Sequence, residues 1–307
     1  MIKEYAVEPE VMATWQHFRE IFDDVGASHG RLVAVYPTDW TERVRNLRLK
    51  LSPPVRAAAI TERMRHSPHK FIPANRAFDK GKDWLTNAEK HEPPKAFDAI
   101  IARTNPRNRN RVLVAGEFPR HLTPWQVPHQ REVPRTAANL LACAKLLLES
   151  SDEILLVDQN FDPAEPRFKD PLAAWLQSRN AARPWKRCEL HLAHPLDNGA
   201  PDKKVLGNRQ HYLQRNLADV IPGGSVLRAF HWLRKTGGKK LHPRFILTER
   251  GGLQYDYGLD EGDSPGDTTI VTLMDHDLWE AVRADYSQPS PSFDITADCI
   301  VAIPGRG

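Results

Sequence analysis

The run Glu153-Ile154-Leu155-Leu156-Val157 is apolar without a break after its first residue. On a strand, successive side chains point to opposite faces. A strand with no polar alternation must therefore be covered on both sides, as parallel strands between helices are. This single run demands a layered α/β arrangement around it. The flanking sequence supplies the layers. Residues 136–149 form a helix with Leu140, Leu141, Ala144, Leu147 and Leu148 on its apolar side, stopped by Ser150-Ser151-Asp152. Downstream, the pattern predicts helices over 171–179, 210–219 and 275–286, and strands over 188–194, 226–233, 241–248 and 268–274. The basic residues 234–240 read as a hairpin tip.

The N-terminal part is less regular. Glu8-Pro9-Glu10 looks like a helix start, with acidic side chains near the positive end of the dipole. Val11, Trp15, Phe18 and Phe22 continue it as one helix that Gly26 can end. A strand is expected over 30–37, then a helix capped by Thr38 or Asp39. That helix turns Trp40, Val44 and Leu47 inward and a basic face of Arg43, Arg45, Arg48 and Lys50 to solvent. Residues 55–64 read as helical, 70–73 as extended and 80–94 as polar loop, although Trp84 and Leu85 need cover. Strands at 96–102 and 111–115 flank the turn-rich tip 105–110 as a hairpin. No Gly-rich phosphate loop, metal motif or nucleophile elbow occurs in this part.

Pro119, Pro124, Pro128 and Pro134 break the stretch between the two parts, which places the boundary there. The expected fold class is α/β, a C-terminal α/β/α unit with a mixed sheet preceded by a smaller α/β domain. The smaller domain takes residues 1–125 and the larger 126–307. A chain of 307 residues accommodates both at the usual ~100–200 residues per domain. Cys143, Cys188 and Cys299 are too scattered for a metal or redox pair and read as buried thiols. No apolar run approaches the ~20 residues of a membrane span. The N-terminus lacks a signal-peptide core, so a cytoplasmic location is expected. The net charge of +4 permits a polyanionic partner without demanding one.

The candidate chemistry lies in Leu241-His242-Pro243-Arg244-Phe245-Ile246-Leu247-Thr248-Glu249-Arg250-Gly251-Gly252. On one strand, His242 and Arg244 share a face while Phe245 and Leu247 face the core. An imidazole beside a fixed guanidinium, with the Glu249 carboxylate five residues on, suits phosphate handling. Asp158, Asn160 and Asp162 follow the apolar strand at its carboxyl end, where open α/β sheets place ligands. Turn chemistry and helix capping account for them more cheaply than a metal loop. The basic tips Arg107, Arg109, Arg111 and Arg234, Lys235, Lys239, Lys240 supply sequence-independent phosphate attraction.

The spacing His242-x-Arg244-x-x-x-x-Glu249 resembles the phospholipase D superfamily signature His-x-Lys-x-x-x-x-Asp. The run through Gly258-Leu259-Asp260 is similar to the phospholipase-D-like C-terminal domain of some MIT-domain proteins and their bacterial relatives. The resemblance covers about the last 170 residues. It implies a metal-independent phosphodiesterase, a bacterial nuclease, that needs no cofactor. His242 would be the nucleophile forming a phosphohistidine, Arg244 would bind phosphate, and Glu249 or Asp260 would fix the imidazole. Active members use two such motifs, so an active form of this chain would be a homodimer. Relatives that kept the fold without the chemistry imply the alternative, a module binding phosphate-containing ligands such as nucleic acid or a lipid headgroup.

Overall fold

The computed structural model describes residues 1–117, 121, 123–179, 183–197, 199–241 and 243–306. The chain divides into two compact units, Ile2–His129 and, with Met1, Gln130–Gly307.

The N-terminal unit is built on five parallel strands: β1 (Lys3–Val7), β2 (Arg31–Val35), β3 (Phe71–Pro73), β4 (Ala99–Ala102) and β5 (Val112–Val114). Their order, β3-β2-β1-β4-β5, is that of doubly wound sheets. Alternation along β1 divides the core between two faces. Tyr5 and Val7 join Val33, Ile101 and Leu113 on one face, while Ala6 joins Ala34, Ile100 and Val112 on the other. The first face carries α1 (Pro9–Ala13), α2 (Trp15–Phe22), α3 (Trp40–Leu51) and α4 (Pro54–His66). Residues 124 and 125 belong to this unit: Trp125 lies in the same core, and Tyr5 Oη donates to the Pro124 carbonyl at 2.7 Å.

Several expectations for this unit change. The first helix is two helices, because Thr14 is extended (φ −92°, ψ 116°) and the Ser52 hydroxyl takes the Trp15 N–H. Asp39 precedes α3 but bonds Arg43 Nε rather than capping the helix. The polar stretch 80–94 contains α5 (Trp84–Glu89), capped by the Asp83 carboxylate on Thr86 N. Trp84 and Leu85 find their cover in the second face of the sheet. Strands β4 and β5 run parallel, so 103–111 is a crossover and not a hairpin tip.

The C-terminal unit adds β6 (Gln130–Pro134), α6 (Ala137–Ser150), β7 (Glu153–Val157), α7 (Pro166–Gln177), β8 (Arg187–Ala193), β9 (Leu196–Asp197), β10 (Ala200–Pro201) and α8 (Lys203–Leu217). It continues with β11 (Val226–Arg234), β12 (Arg244–Leu247), β13 (Gly252–Tyr255), β14 (Thr268–Leu273), α9 (His276–Asp285), β15 (Phe293–Asp294) and β16 (Ile300–Pro304). One nine-stranded mixed sheet runs β15-β11-β8-β7-β12-β13-β14-β6, with β16 also paired to β11. All five strands expected from the sequence lie in it. The apolar run is β7, flanked by parallel β8 and antiparallel β12. Leu155, Val157, Phe245 and Leu247 pack with Trp279 and Val282 of α9 on one face. On the other face Tyr255 donates to the Leu140 carbonyl of α6, and its ring lies 6.2 Å from Trp175 of α7.

Three differences matter for the site. Strand β12 begins at Arg244 and not at 241, as expected of a proline at 243 that has no N–H for the ladder. Strands β11 and β12 are not neighbours, because β8 and β7 lie between them, so the basic stretch after β11 is not a hairpin tip. Helix α7 starts at Pro166 and contains Pro171. A proline leaves the carbonyl four residues earlier without its helical donor. Here the Arg167 carbonyl takes the Glu261 N–H at 2.8 Å instead, which ties the 258–267 loop to α7.

Candidate functional site

The carboxyl edge of β7, β8 and β11 gathers the polar side chains that sequence order alone leaves apart. Asp158 follows β7 and is 1% exposed. Its Oδ1 accepts the Asn160 N–H at 3.0 Å and its Oδ2 the Leu259 N–H at 3.1 Å, closing one turn and anchoring a distant loop. Burial raises the Asp158 carboxyl above its ordinary value, while the two N–H bonds and Arg244 act the other way. Arg244, the first residue of β12, sits opposite on the neighbouring strand, its Nε 3.8 Å from Asp158 Oδ1. That Nε is buried and makes no hydrogen bond among the described residues. Strand pairing thus fixes a guanidinium at the edge against a carboxylate held by two backbone donors.

Glu249 is elsewhere, which corrects its expected place beside Arg244. Its carboxylate accepts the N–H groups of Asp152 at 2.9 Å and Glu153 at 3.1 Å, at the start of β7. At ~3.3 Å per residue, strand β12 alone carries the chain roughly 10 Å away from Arg244 before Glu249 is reached. The antiparallel pairing of β12 with β7 sends Arg244 and Glu249 towards opposite edges of the sheet. His242 lies outside the described residues. Asp260 is buried but is taken by Arg135 Nη2 at 2.7 Å and Arg167 Nη1 at 3.6 Å. Asp162 makes a turn, its Oδ1 accepting Ala164 N–H at 3.0 Å. Among the described residues no group of three or more His, Cys, Asp or Glu side chains is arranged to hold a metal.

Two recesses open on the edge. One, of about 470 Å³, has Asn160, Asp162 and Arg209 in its wall. The other, of about 250 Å³, is lined by Gln159, His194, Arg234, Lys240 and Leu241 among others. The His194 Nδ1 lies 2.7 Å from the Pro195 carbonyl, an acceptor that places a proton on Nδ1. Arg209, His194 and Gln159 were not among the sequence candidates. Their signal was position: Gln159 lies two residues past β7, His194 directly follows β8, and Arg209 lies on α8. His191, three residues earlier on β8, is fully buried and accepts the Trp232 indole N–H at 2.9 Å, a structural role.

The basic stretches are largely committed to the protein itself. Arg107 pairs with Glu89, and Arg111 donates to the Glu89 carbonyl and, at 3.1 Å, to that of His91. Lys239 pairs with Asp285 at 2.8 Å, and Lys235 donates to the Ser290 carbonyl at 3.0 Å. Arg107, Arg111, Lys235 and Lys239, expected to attract phosphate, are thus held by acceptors of the protein itself. Arg109, Arg234 and Lys240 make no ion pair among the described residues, and the last two face the smaller recess.

No family model matches the chain, and no curated protein matches it. Among solved structures it is similar to TrmBL2, an archaeal chromatin protein whose structure is described as showing a novel mode of DNA binding. The identity is 19% and the TM-score 0.25, over 52% of this chain and 50% of that one. The match spans half of each chain, and at that TM-score it carries no weight for fold or function. No helix among the described residues is long and apolar enough to cross a membrane.

Proposed function

We propose that the C-terminal unit takes up a phosphodiester of nucleic acid at the carboxyl edge of its parallel strands, with Arg244 as the phosphate-binding cation. The observation that carries this reading is the fixed Arg244: a half-buried guanidinium, positioned by strand pairing and by a carboxylate that two backbone N–H groups hold in place. A planar cation fixed in this way favours bidentate recognition of phosphate oxygens. Lys240 and Arg234, which make no ion pair among the described residues, line the smaller recess, and Arg234 Nε also donates to the Gly238 carbonyl at 2.7 Å.

The reaction that fits the His242-x-Arg244 spacing is hydrolysis through a phosphohistidine. The His242 imidazole attacks phosphorus, a P–N bond forms, and the P–O bond to the leaving group breaks. A second imidazole protonates the departing oxygen, and water then cleaves the P–N bond. In this reading a second copy of the chain supplies the second imidazole. Binding without turnover is the other reading, and the position of Glu249 favours it, because the motif's own carboxylate is held at the far edge.

Single-stranded and duplex DNA, RNA and bis-p-nitrophenyl phosphate, assayed in EDTA, separate the two. Cleavage that persists in EDTA and is abolished in His242→Ala, with nucleic-acid affinity kept, supports the hydrolase. Binding with no cleavage supports the module. If Arg244→Lys and Arg244→Ala both bind nucleic acid as the wild type does, the proposal fails in either form.

A further inference from the structure

The N-terminal unit contains a cavity that the proposed function does not use. The crossover from β2 to β3 is made by two helices, α3 and α4, and a pocket of about 430 Å³ opens between them. That volume lies in the usual range for a small-molecule site. Its floor is apolar, formed by Val44, Ile60, Met64 and Phe71, and its wall carries Arg45, Arg48 and Arg65, the last paired with Glu62. The other cations of this helix pair are mostly occupied: Arg43 by Asp39 and Arg63 by Asp23. Arg45 and Arg48 have no acidic partner among the described residues. Arg48 Nε donates to the Thr61 hydroxyl, and its Nη1 is buried without an acceptor. Arg45 is exposed, whereas Arg48 is half-buried, and for Arg48 a charge beside an apolar surface is costly without a counter-charge.

We propose that this pocket binds a small amphipathic anion: an apolar body on the Val44–Ile60–Met64–Phe71 floor, and one carboxylate or phosphate head at Arg45 and Arg48. The basic face of α3, a solvated stripe on the sequence pattern, becomes the selectivity element of that site. Apolar contact supplies affinity, and the two arginines reject neutral analogues, because only an anion offsets their charge. The site lies in the other unit from Arg244 and stands or falls independently of phosphodiester binding.

The test is calorimetric titration of the full chain with decanoate and decyl phosphate below their micellar thresholds and with decanol below its solubility limit. At least one of the two anions should bind saturably at one per chain, and decanol at least tenfold more weakly. The tighter anion identifies the head group. Arg45→Glu should weaken the anion more than tenfold and leave decanol unchanged. Thr41→Trp, on an exposed lining position, should block all three ligands by filling the mouth. Its fold is checked by circular dichroism. Absence of saturable binding by both anions overturns the proposal. So does equal binding of decanol, or anion affinity unchanged in Arg45→Glu.

Discussion

Replacing Asp158 by Ala tests whether the edge is organised as described. The substitution removes the acceptor for two backbone N–H groups, those of Asn160 and Leu259, and the counter-charge of Arg244. A hydrogen bond to a charged group is worth ~1.5–3 kcal/mol. Against this stands the cost of burying the carboxylate, visible in its raised proton affinity. Removing one partner of a buried pair costs ~3–5 kcal/mol, so a net loss of about 3 kcal/mol is expected. With a urea slope of ~2 kcal/mol/M, the midpoint of the C-terminal unit falls by roughly 1.5 M. Amide exchange read by mass spectrometry should place the lost protection at residues 159–160 and 257–261. Asp158→Asn keeps one acceptor and should lose less. The pH dependence has a defined sign. A carboxyl with a raised folded value binds its proton more tightly when folded, so its contribution is fully present below the ordinary value of 3.8 and is lost as pH rises through the folded value. The stability gap between wild type and Asp158→Asn should therefore narrow as pH is raised from 3.8. A midpoint shift below ~0.5 M for Asp158→Ala, or unchanged exchange at Leu259, would refute the reasoning.

Three further outcomes are expected. Glu249→Gln keeps one of two backbone acceptors at the start of β7 and should cost ~1 kcal/mol in urea denaturation while leaving nucleic-acid affinity unchanged. His231 is fully buried, with Arg209 and His194 as charged or titratable neighbours and the Cys299 carbonyl 3.4 Å from Nδ1; burial first, then Arg209, lowers its pKa to about 4. The unfolded chain takes up this proton near 6.5, so the stability is present above 6.5 and up to ~3 kcal/mol is lost as pH falls towards 4; His231→Gln should flatten that slope in pH-dependent denaturation. Gly252→Ala would place a Cβ 2.7 Å from Met274 Sδ and 2.8 Å from Leu247 Cδ2, and overpacking of this kind should lower stability by ~1–3 kcal/mol in thermal melts.

The sequence by itself determined what depends on neighbours along the chain. The unbroken apolar run at 153–157 required cover on both faces and became β7 between parallel and antiparallel partners. The Leu and Ala spacing of 136–149 became α6, capped by Thr136 as turn chemistry allows. Polar side chains after β7 were legible as an edge. Tertiary structure alone decided which elements meet, because strand order is set by long-range packing and leaves no local trace. Residues 99–102 and 112–114 are each plainly strands, yet only the sheet makes them parallel and their link a crossover. Arg244 and Glu249 stand five residues apart on a continuous β pattern. A strand carries its two ends away from each other, so antiparallel pairing gives one to Asp158 and the other to the first N–H groups of β7. The charge on Arg107, Arg111, Lys235 and Lys239 was readable, but its commitment to Glu89, carbonyl oxygens and Asp285 was not. Those acceptors arrive from helices and loops whose approach is fixed only when the two faces of each sheet are packed.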